Sequence, residues 1–185
     1  MFGRRRARPV YAPKPRYSYG QPLTLWERHL ERGLDYFSKG KNDEALADLD
    51  AAIEADDRIA ELYATRGMIL VEMGKEDQAH EDLAYALELD ARQWLVHYVR
   101  GLIAYRKKAY DDAIEALSLA QRYVPLRPEV YYTRACVYYE RGDLERARDD
   151  ADYALQTLKA DDKRGRTIKR LLSQITKDLK AVDKS

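Results

Sequence analysis

The chain has 185 residues, which suits one domain with a buried core, and its 33 basic and 32 acidic residues leave a net charge of +1. A single cysteine, Cys136, excludes a disulfide framework within the chain. No apolar run approaches the roughly 18 residues that a membrane-spanning helix needs, so we expect no membrane span.

Charge is unevenly distributed along the chain. Residues 1–26 carry six basic side chains and no acidic one, residues 162–185 carry eight basic and three acidic ones, and the body between them is strongly acidic. Residues 1–22 also hold four prolines and three tyrosines, a composition that cannot build a core. We therefore expect 1–22 to be a basic, disordered or extended tail.

Two targeting signals place arginines near an N-terminus, and the sequence disfavours both. No apolar stretch follows the arginines, as a secretory signal requires. A mitochondrial transit peptide is basic and acid-free, but Pro9, Pro13, Pro15 and Pro22 would break its amphipathic helix. We expect a cytoplasmic protein.

From residue 26 onward the sequence repeats every 34 residues, in frames 26–59, 60–93, 94–127 and 128–161. Small residues recur at fixed positions, where they let two helices approach closely, so each frame is predicted to form a pair of helices. The recurring positions are Gly33, Gly67, Gly101 and Ala135; Ala45, Ala79, Ala113 and Ala147; Leu49, Leu83, Leu117 and Ala151; and Ala52, Ala86, Ala120 and Ala154.

The ends of the helices are also marked. We expect the first helix of a frame to end in the left-handed conformation at Gly40, Gly74 and Gly142. Lys108 holds this position in the third frame, which predicts a different or strained turn. Acidic residues such as Asp43 and Glu44 then start the second helix, where we expect them to cap N–H groups and to favour the helix dipole.

This pattern resembles the tetratricopeptide repeat. The first frame reads His29, Gly33, Tyr36, Ala45, Leu49, Ala52 and Asp57, and the third reads His97, Gly101, Ala104, Ala113, Leu117, Ala120 and Pro125. The resemblance covers residues 26–161 and implies an all-α fold, a right-handed α-solenoid of helix–turn–helix repeats. It is specific for the fold and not for a partner.

Residues 162–180 are predicted to form one further amphipathic helix, within a C-terminal segment 162–185 that also includes a short tail. Its apolar positions recur at helical spacing: Ile168, Leu171, Leu172, Ile175 and Leu179. A solenoid needs a polar outer cap, and this helix fits that role.

An arginine and an aspartate also recur at 34-residue spacing. The arginines are Arg32, Arg66, Arg100 and Arg134, and the aspartates are Asp48, Asp82 and Asp150, with Ala116 in the third repeat. We favour a ladder of ion pairs between helices over an arginine row that binds an anionic ligand. If the ladder forms, Arg100 lacks its partner.

The sequence offers no catalytic or metal-binding motif. His29, His80 and His97 have no second metal ligand at a suitable spacing, and Cys136 has no adjacent histidine. We interpret His29 and His97 as structural and Cys136 as a buried thiol, and we expect no enzyme activity, no cofactor and no metal.

The resemblance implies that the first helices line a concave groove that binds a partner. The predicted groove residues are Leu30, Leu34, Phe37, Met68, Val71, Leu95, Tyr98, Leu102, Tyr105, Arg106, Tyr132 and Tyr139. This surface is aromatic and lacks the basic set that grips chaperone tails in the family. It favours a proline-containing or amphipathic segment, although each tyrosine could instead pack between helices.

We therefore predict a non-catalytic scaffold for protein–protein interactions. The alternative is an adaptor whose basic ends contact nucleic acid or an anionic membrane surface, which we consider weaker because such contacts are salt-sensitive. The basic tail is a further candidate occupant of the groove, in the same chain or in a neighbouring copy.

Overall fold

A computed structural model describes residues 23–159 and 161–182, and within them all regular secondary structure is α-helical. These residues form two compact units, one ending at Val99 and one beginning at Arg100, inside the fifth helix. The expected tail at 1–22, including its docking on the body, lies outside the described residues.

The unit that ends at Val99 contains two complete helix pairs and the first half of the fifth helix. Its helices are α1 (Leu25–Ser38), α2 (Asn42–Ala55), α3 (Ala60–Glu72), α4 (Glu76–Leu89) and the start of α5 (Trp94–Arg106). Helix α1 begins with a capping box, in which Thr24 and Glu27 bond each other's backbone N–H groups.

The unit that begins at Arg100 contains the second half of α5 and four further helices. They are α6 (Tyr110–Tyr123), α7 (Pro128–Arg141), α8 (Leu144–Gln156) and α9 (Gly165–Val182). Helix α9 buries Ile168 and Ile175 in a core shared with α7 and α8, and Leu171, Leu172 and Leu179 pack partly buried against it. The predicted closing helix is thus present, and it begins at Gly165.

Close packing within each pair depends on the small residues of the repeat. A Cβ atom added to Gly33 would lie 2.8 Å from Leu49 Cδ2, and one added to Gly101 would lie 2.7 Å from Leu117 Cγ. Both leucines are fully buried. The predicted close approach of the two helices is confirmed.

The expected capping by acidic residues is wrong for three of the second helices. The N-cap residues of α2, α4 and α6 are Lys41, Lys75 and Ala109, and none makes a side-chain cap bond. The acidic residues lie inside the first turn, where they favour the helix dipole without capping. Only α8, among these second helices, has an acidic cap, because Asp143 accepts a bond from the N–H of Arg146 at 3.4 Å.

The turn after the first helix of a pair uses the left-handed conformation, as predicted. Gly40, Gly74 and Gly142 have φ angles of 77°, 77° and 90°. Lys108 has a φ of 59°, so the third repeat keeps the same turn with a residue that is strained in it.

Replacing Lys108 with glycine is therefore expected to stabilise the chain by about 0.5 kcal/mol. Relief of the left-handed strain is worth about 1–2 kcal/mol, and the greater freedom of the unfolded glycine chain offsets part of it. Lys107, which is outside the left-handed region, is the matched control, and Lys107→Gly should destabilise. Equal losses for both variants in urea denaturation would contradict this account of the turn.

Candidate functional site

The recurring arginines and aspartates form ion pairs between the two helices of a repeat. Arg66 Nε and Nη2 donate to the two carboxylate oxygens of Asp82 at 2.8 and 2.7 Å. Arg134 makes the same two bonds to Asp150 at 2.7 and 2.9 Å, and Arg32 binds both oxygens of Asp48. The ladder is confirmed in three repeats.

The third repeat departs from this ladder. Ala116 occupies the position of the aspartate, and the side chain of Arg100 is exposed. Arg66 also binds Asp50, and Arg134 also binds Ser118, each 16 residues earlier. The residue 16 positions before Arg100 is Ala84, so the sequence supplies Arg100 with neither acceptor of the ladder.

Replacing Asp48 with asparagine is expected to destabilise the chain at neutral pH but not in acid. The hydrogen bond from Arg32 holds the pKa of Asp48 below its ordinary value. The carboxylate therefore contributes stability above its unfolded pKa of about 3.9, and this is lost as the pH falls through the lower folded pKa. Urea denaturation of the variant and the wild type from about pH 7 to about pH 2 measures the effect. If the difference in unfolding free energy between the variant and the wild type stayed unchanged in acid, this account of Asp48 would be contradicted.

A cluster of tyrosines lies on α5, α6 and α7. Tyr105 donates its hydroxyl to Glu140 Oε1 at 2.8 Å, and Tyr110 donates to Glu140 Oε2 at 3.3 Å. Tyr132, Cys136, Tyr139 and Glu140 share one face of α7, because they follow each other at helical spacing. We call this cluster the tyrosine surface: Tyr105, Tyr110, Tyr132, Cys136, Tyr139 and Glu140.

Tyr105 and Tyr139 are equivalent residues of successive repeats, and their hydroxyls are held in the same way. Tyr139 donates to Asp178 Oδ2 on α9 at 2.7 Å, and Gln174 donates to the other oxygen of that carboxylate at 2.9 Å. Tyr105 thus bonds a carboxylate on α7, the first helix of the next repeat, and Tyr139 bonds one on the closing helix α9. The bond from Tyr139 lowers the pKa of Asp178.

The tyrosine surface is partly desolvated, which keeps the hydroxyls of Tyr105, Tyr110 and Tyr139 and the thiol of Cys136 in their neutral forms, because burial raises the pKa of each. Burial raises the pKa of Tyr105, and the neighbouring Cys136 and Glu140 raise it further. Burial also raises the pKa of the Cys136 thiol to about 12. At neutral pH the tyrosines are therefore hydrogen-bond donors and the thiol is protonated.

A cleft of about 210 Å³ lies beside Tyr132, between the start of α7 and the start of α9. Its apolar walls come from Pro128, Tyr132, Leu158 and Ile168. Its polar lining comes from Glu129, Lys163, Arg164 and Thr167. The cleft and the tyrosine surface share Tyr132.

The sequence of residues 64–125 matches a family model described as the tetratricopeptide repeat. Residues 64–125 thus carry tetratricopeptide repeats. Proteins of this kind are in general non-catalytic scaffolds that bind other proteins along the surface of their stacked repeats. No curated protein matches the chain significantly.

Solved structures share the tetratricopeptide fold with this chain at low sequence identity. PilF of Pseudomonas aeruginosa is 19% identical with a TM-score of 0.69, over 85% of this chain and 70% of that one. TTC0263, a tetratricopeptide repeat protein of Thermus thermophilus, is 18% identical with a TM-score of 0.68, over 85% and 84%. A chain of the Cut9–Hcn1 hetero-tetramer of the APC/C is 16% identical with a TM-score of 0.69, over 84% and 30%. The fold is thus the all-α solenoid of this repeat.

The predicted groove residues of the tetratricopeptide repeats are placed in different environments. Five are buried, with at most 8% of their surface exposed: Leu30, Met68, Val71, Leu95 and Tyr98. Arg106 is exposed. The other six are half-buried: Leu34, Phe37, Leu102, Tyr105, Tyr132 and Tyr139. Leu34 and Phe37 pack against the core of α1, α2 and α3. Among the half-buried residues, Tyr105, Tyr132 and Tyr139 belong to the tyrosine surface, and Leu102 lies one turn before Tyr105.

Five buried side chains offer no open surface to a ligand, and the reason lies in the helix packing. Helical spacing identifies residues on one face of a helix, but a helix enclosed by its neighbours buries that face as well. Tyr98, for example, is 1% exposed and lies with its ring centroid 6.0 Å from that of Trp94. Most of the predicted groove residues that remain accessible therefore lie in the unit that begins at Arg100.

The sequence analysis did not predict a role for Tyr110, which donates to Glu140, or for Asp178, which accepts a bond from Tyr139. Asp178 had a signal, since it is the only acidic residue between 163 and 182. Tyr110 had none, because it starts a helix whose neighbours are not visible in the sequence.

Neither a cluster of metal ligands nor a membrane-spanning helix is found in residues 23–159 and 161–182. In that part of the chain, no three histidine, cysteine or acidic side chains are grouped so that they could hold a metal ion. His29 instead contacts Asp48 with its Nδ1 at 3.2 Å, which is a structural contact. No helix within the same ranges combines the length and apolar character that crossing a bilayer requires.

Cys136 is expected to react slowly with maleimide reagents in the folded chain. The thiolate is the reacting form, and a pKa of about 12 leaves little of it at neutral pH. We expect a rate on the order of 1000-fold below that of the urea-unfolded chain. A time course of labelling checks this, and similar rates in the two states would contradict the desolvated environment of the thiol.

Proposed function

We propose that the chain is a non-catalytic scaffold that binds a segment of a partner protein at the tyrosine surface. The observation that carries this proposal is the arrangement of Tyr105 on α5 and Tyr132 and Tyr139 on α7, which are all half-buried, with Leu102 and Arg106 close to Tyr105 along α5. Aromatic side chains of this kind contribute most to binding when they lie in a partly desolvated site.

The hydroxyl bonds of the tyrosines favour binding because they fix the rings in advance. Tyr105 is held by Glu140 and Tyr139 by Asp178, so a ligand does not have to order these side chains itself. Ordering one flexible side chain at an interface costs about 0.5–1.5 kcal/mol. A pre-arranged row of flat rings suits an extended, proline-containing or amphipathic segment.

The protonation and hydrogen bonding of the reactive side chains support a non-catalytic role. Cys136 is protonated at neutral pH because its pKa is raised to about 12, so it is a poor nucleophile. Tyr105 is fixed as a donor to Glu140, and His29 is bound to Asp48. These groups contribute to packing and to hydrogen bonding rather than to catalysis.

Affinity capture with the full chain tests the proposal. The variant Tyr105→Ala/Tyr139→Ala removes two rings of the tyrosine surface, and Tyr85→Ala/Tyr123→Ala removes two tyrosines that are each 40% exposed elsewhere. We expect the control variant to retain the proteins captured by the wild type and the tyrosine-surface variant to lose them. Thermal unfolding by circular dichroism establishes that both variants fold. Retention of the same proteins by both would contradict the proposed surface.

A further inference from the structure

The cleft between α7 and α9 combines an apolar interior with a basic rim. We propose that it binds an acidic peptide segment of the partner, with a large apolar side chain of that segment inside the cleft. This inference rests on the proposed scaffold function and specifies the chemistry of its ligand.

The volume and walls of the cleft suit one large apolar side chain. A cavity of roughly 150 Å³ is known to hold benzene, and this cleft measures about 210 Å³. Ile168 lines it and is 2% exposed, and Pro128, Tyr132 and Leu158 supply further apolar contacts. A phenylalanine or leucine side chain would exchange water for these contacts.

The charge around the cleft favours an acidic partner. Lys163 lines the cleft and is exposed, and Arg170 lies one turn beyond Thr167, another lining residue. Helix α9 has no acidic residue before Asp178, and the basic residues of its first two turns are exposed: Arg166, Lys169 and Arg170. Carboxylates flanking the apolar side chain of a ligand would meet this face.

Glu129 favours a peptide over a nucleic acid as the source of that negative charge. Its side chain is buried and contacts Arg127 Nη1 at 3.3 Å and Arg164 Nη1 at 3.4 Å, while Arg164 makes its shorter bonds to Asp162. A carboxylate has about four acceptor positions, so Glu129 can also accept an N–H group from a ligand. A peptide backbone offers such donors, whereas a phosphate offers only negative oxygens that Glu129 would repel.

Fluorescence anisotropy of the full chain with a labelled peptide tests the proposal. The probe is acetyl-Glu-Asp-Glu-Phe-Asp-Glu-amide, compared with the same peptide carrying serine for phenylalanine and with a single-stranded oligothymidine. Thr167→Phe fills the cleft, and Ser173→Phe adds the same side chain to an exposed position of α9 outside it. Lys163→Glu reverses a rim charge, and Lys177→Glu reverses one further along the helix.

We expect Thr167→Phe, Lys163→Glu and the serine peptide each to weaken binding by about tenfold, while Ser173→Phe and Lys177→Glu change it less than about twofold. Equal affinity of Thr167→Phe and Ser173→Phe for the phenylalanine peptide would overturn the proposal. So would oligothymidine binding that depends on Lys163 while the peptide does not bind, since that outcome assigns the basic face to nucleic acid. If Tyr105→Ala/Tyr139→Ala lost the captured partner and Thr167→Phe retained it, the cleft would be rejected as the binding site. The proposed scaffold function would not be affected by that result.

Discussion

Replacing Asp150 with alanine will lower the free energy of unfolding by about 3 kcal/mol, because it leaves the guanidinium of Arg134 without its carboxylate. The two side chains are only 13% and 12% exposed, and both bonds between them are short. Arg134 is also enclosed by aromatic rings, with its guanidinium 5.6 Å from the ring centroid of Tyr131 and 6.0 Å from that of Tyr138. An unpaired charge in this position is costly.

Asp152 provides the matched control, since it lies on the same helix and is exposed. Urea denaturation should show a loss below about 0.5 kcal/mol for Asp152→Ala. The converse change, Ala116→Asp, offers Arg100 the missing partner, and we expect a gain of about 0.5 kcal/mol because Arg100 is exposed. Similar losses for Asp150→Ala and Asp152→Ala would mean that the ladder contributes little to stability.

The second large effect is expected at the contact between Gly101 and Leu117. Gly101→Val should cost about 3 kcal/mol, because its Cβ would lie 2.7 Å from Leu117 Cγ and 3.4 Å from the carbonyl oxygen of Ala113. Gly101→Ala should cost less, since the gain in helix propensity of about 1 kcal/mol offsets part of the clash. Chemical denaturation of the two variants measures the difference.

The fourth repeat suggests a rescue for this clash. There the glycine and leucine are replaced by Ala135 and Ala151, both fully buried. The double variant Gly101→Ala/Leu117→Ala reproduces that pair, so its loss should be smaller than the sum of the two single losses. Gly165→Val is the control without a clash, since the nearest atom to its Cβ would be 3.8 Å away. Additive losses in the double variant would contradict a direct contact between the two positions.

The sequence was sufficient for features that repeat at fixed spacing. Arg66 and Asp82 are 16 residues apart, as are Arg134 and Asp150, so a helix pair that brings one couple together brings the other together as well. The strained turn at Lys108 was predictable for the same reason, because glycine occupies the equivalent position in the other repeats. Repetition supplies the tertiary information that a single motif lacks.

The sequence was insufficient where burial and helix register decide the outcome. Met68 and Tyr98 lie on the predicted face of their helices but are enclosed by packing, which helical spacing does not reveal. The first acidic residue lies one position after the N-cap in α4 and two positions after it in α2 and α6, which is too late to serve as a cap. The bond from Tyr139 to Asp178 and the cleft beside Tyr132 depend on where α9 docks, and no repeat of the sequence specifies that position.

The affinity of a captured partner segment for the full chain tests the central claim most directly. Isothermal titration calorimetry would compare the wild type with Tyr105→Ala and with Tyr85→Ala, a tyrosine on α4 outside the tyrosine surface. A buried aromatic hot spot is worth about 2 kcal/mol, so Tyr105→Ala should weaken binding by about 30-fold while Tyr85→Ala leaves it within about twofold. Equal affinities of the two variants and the wild type would contradict the assignment of partner binding to the tyrosine surface.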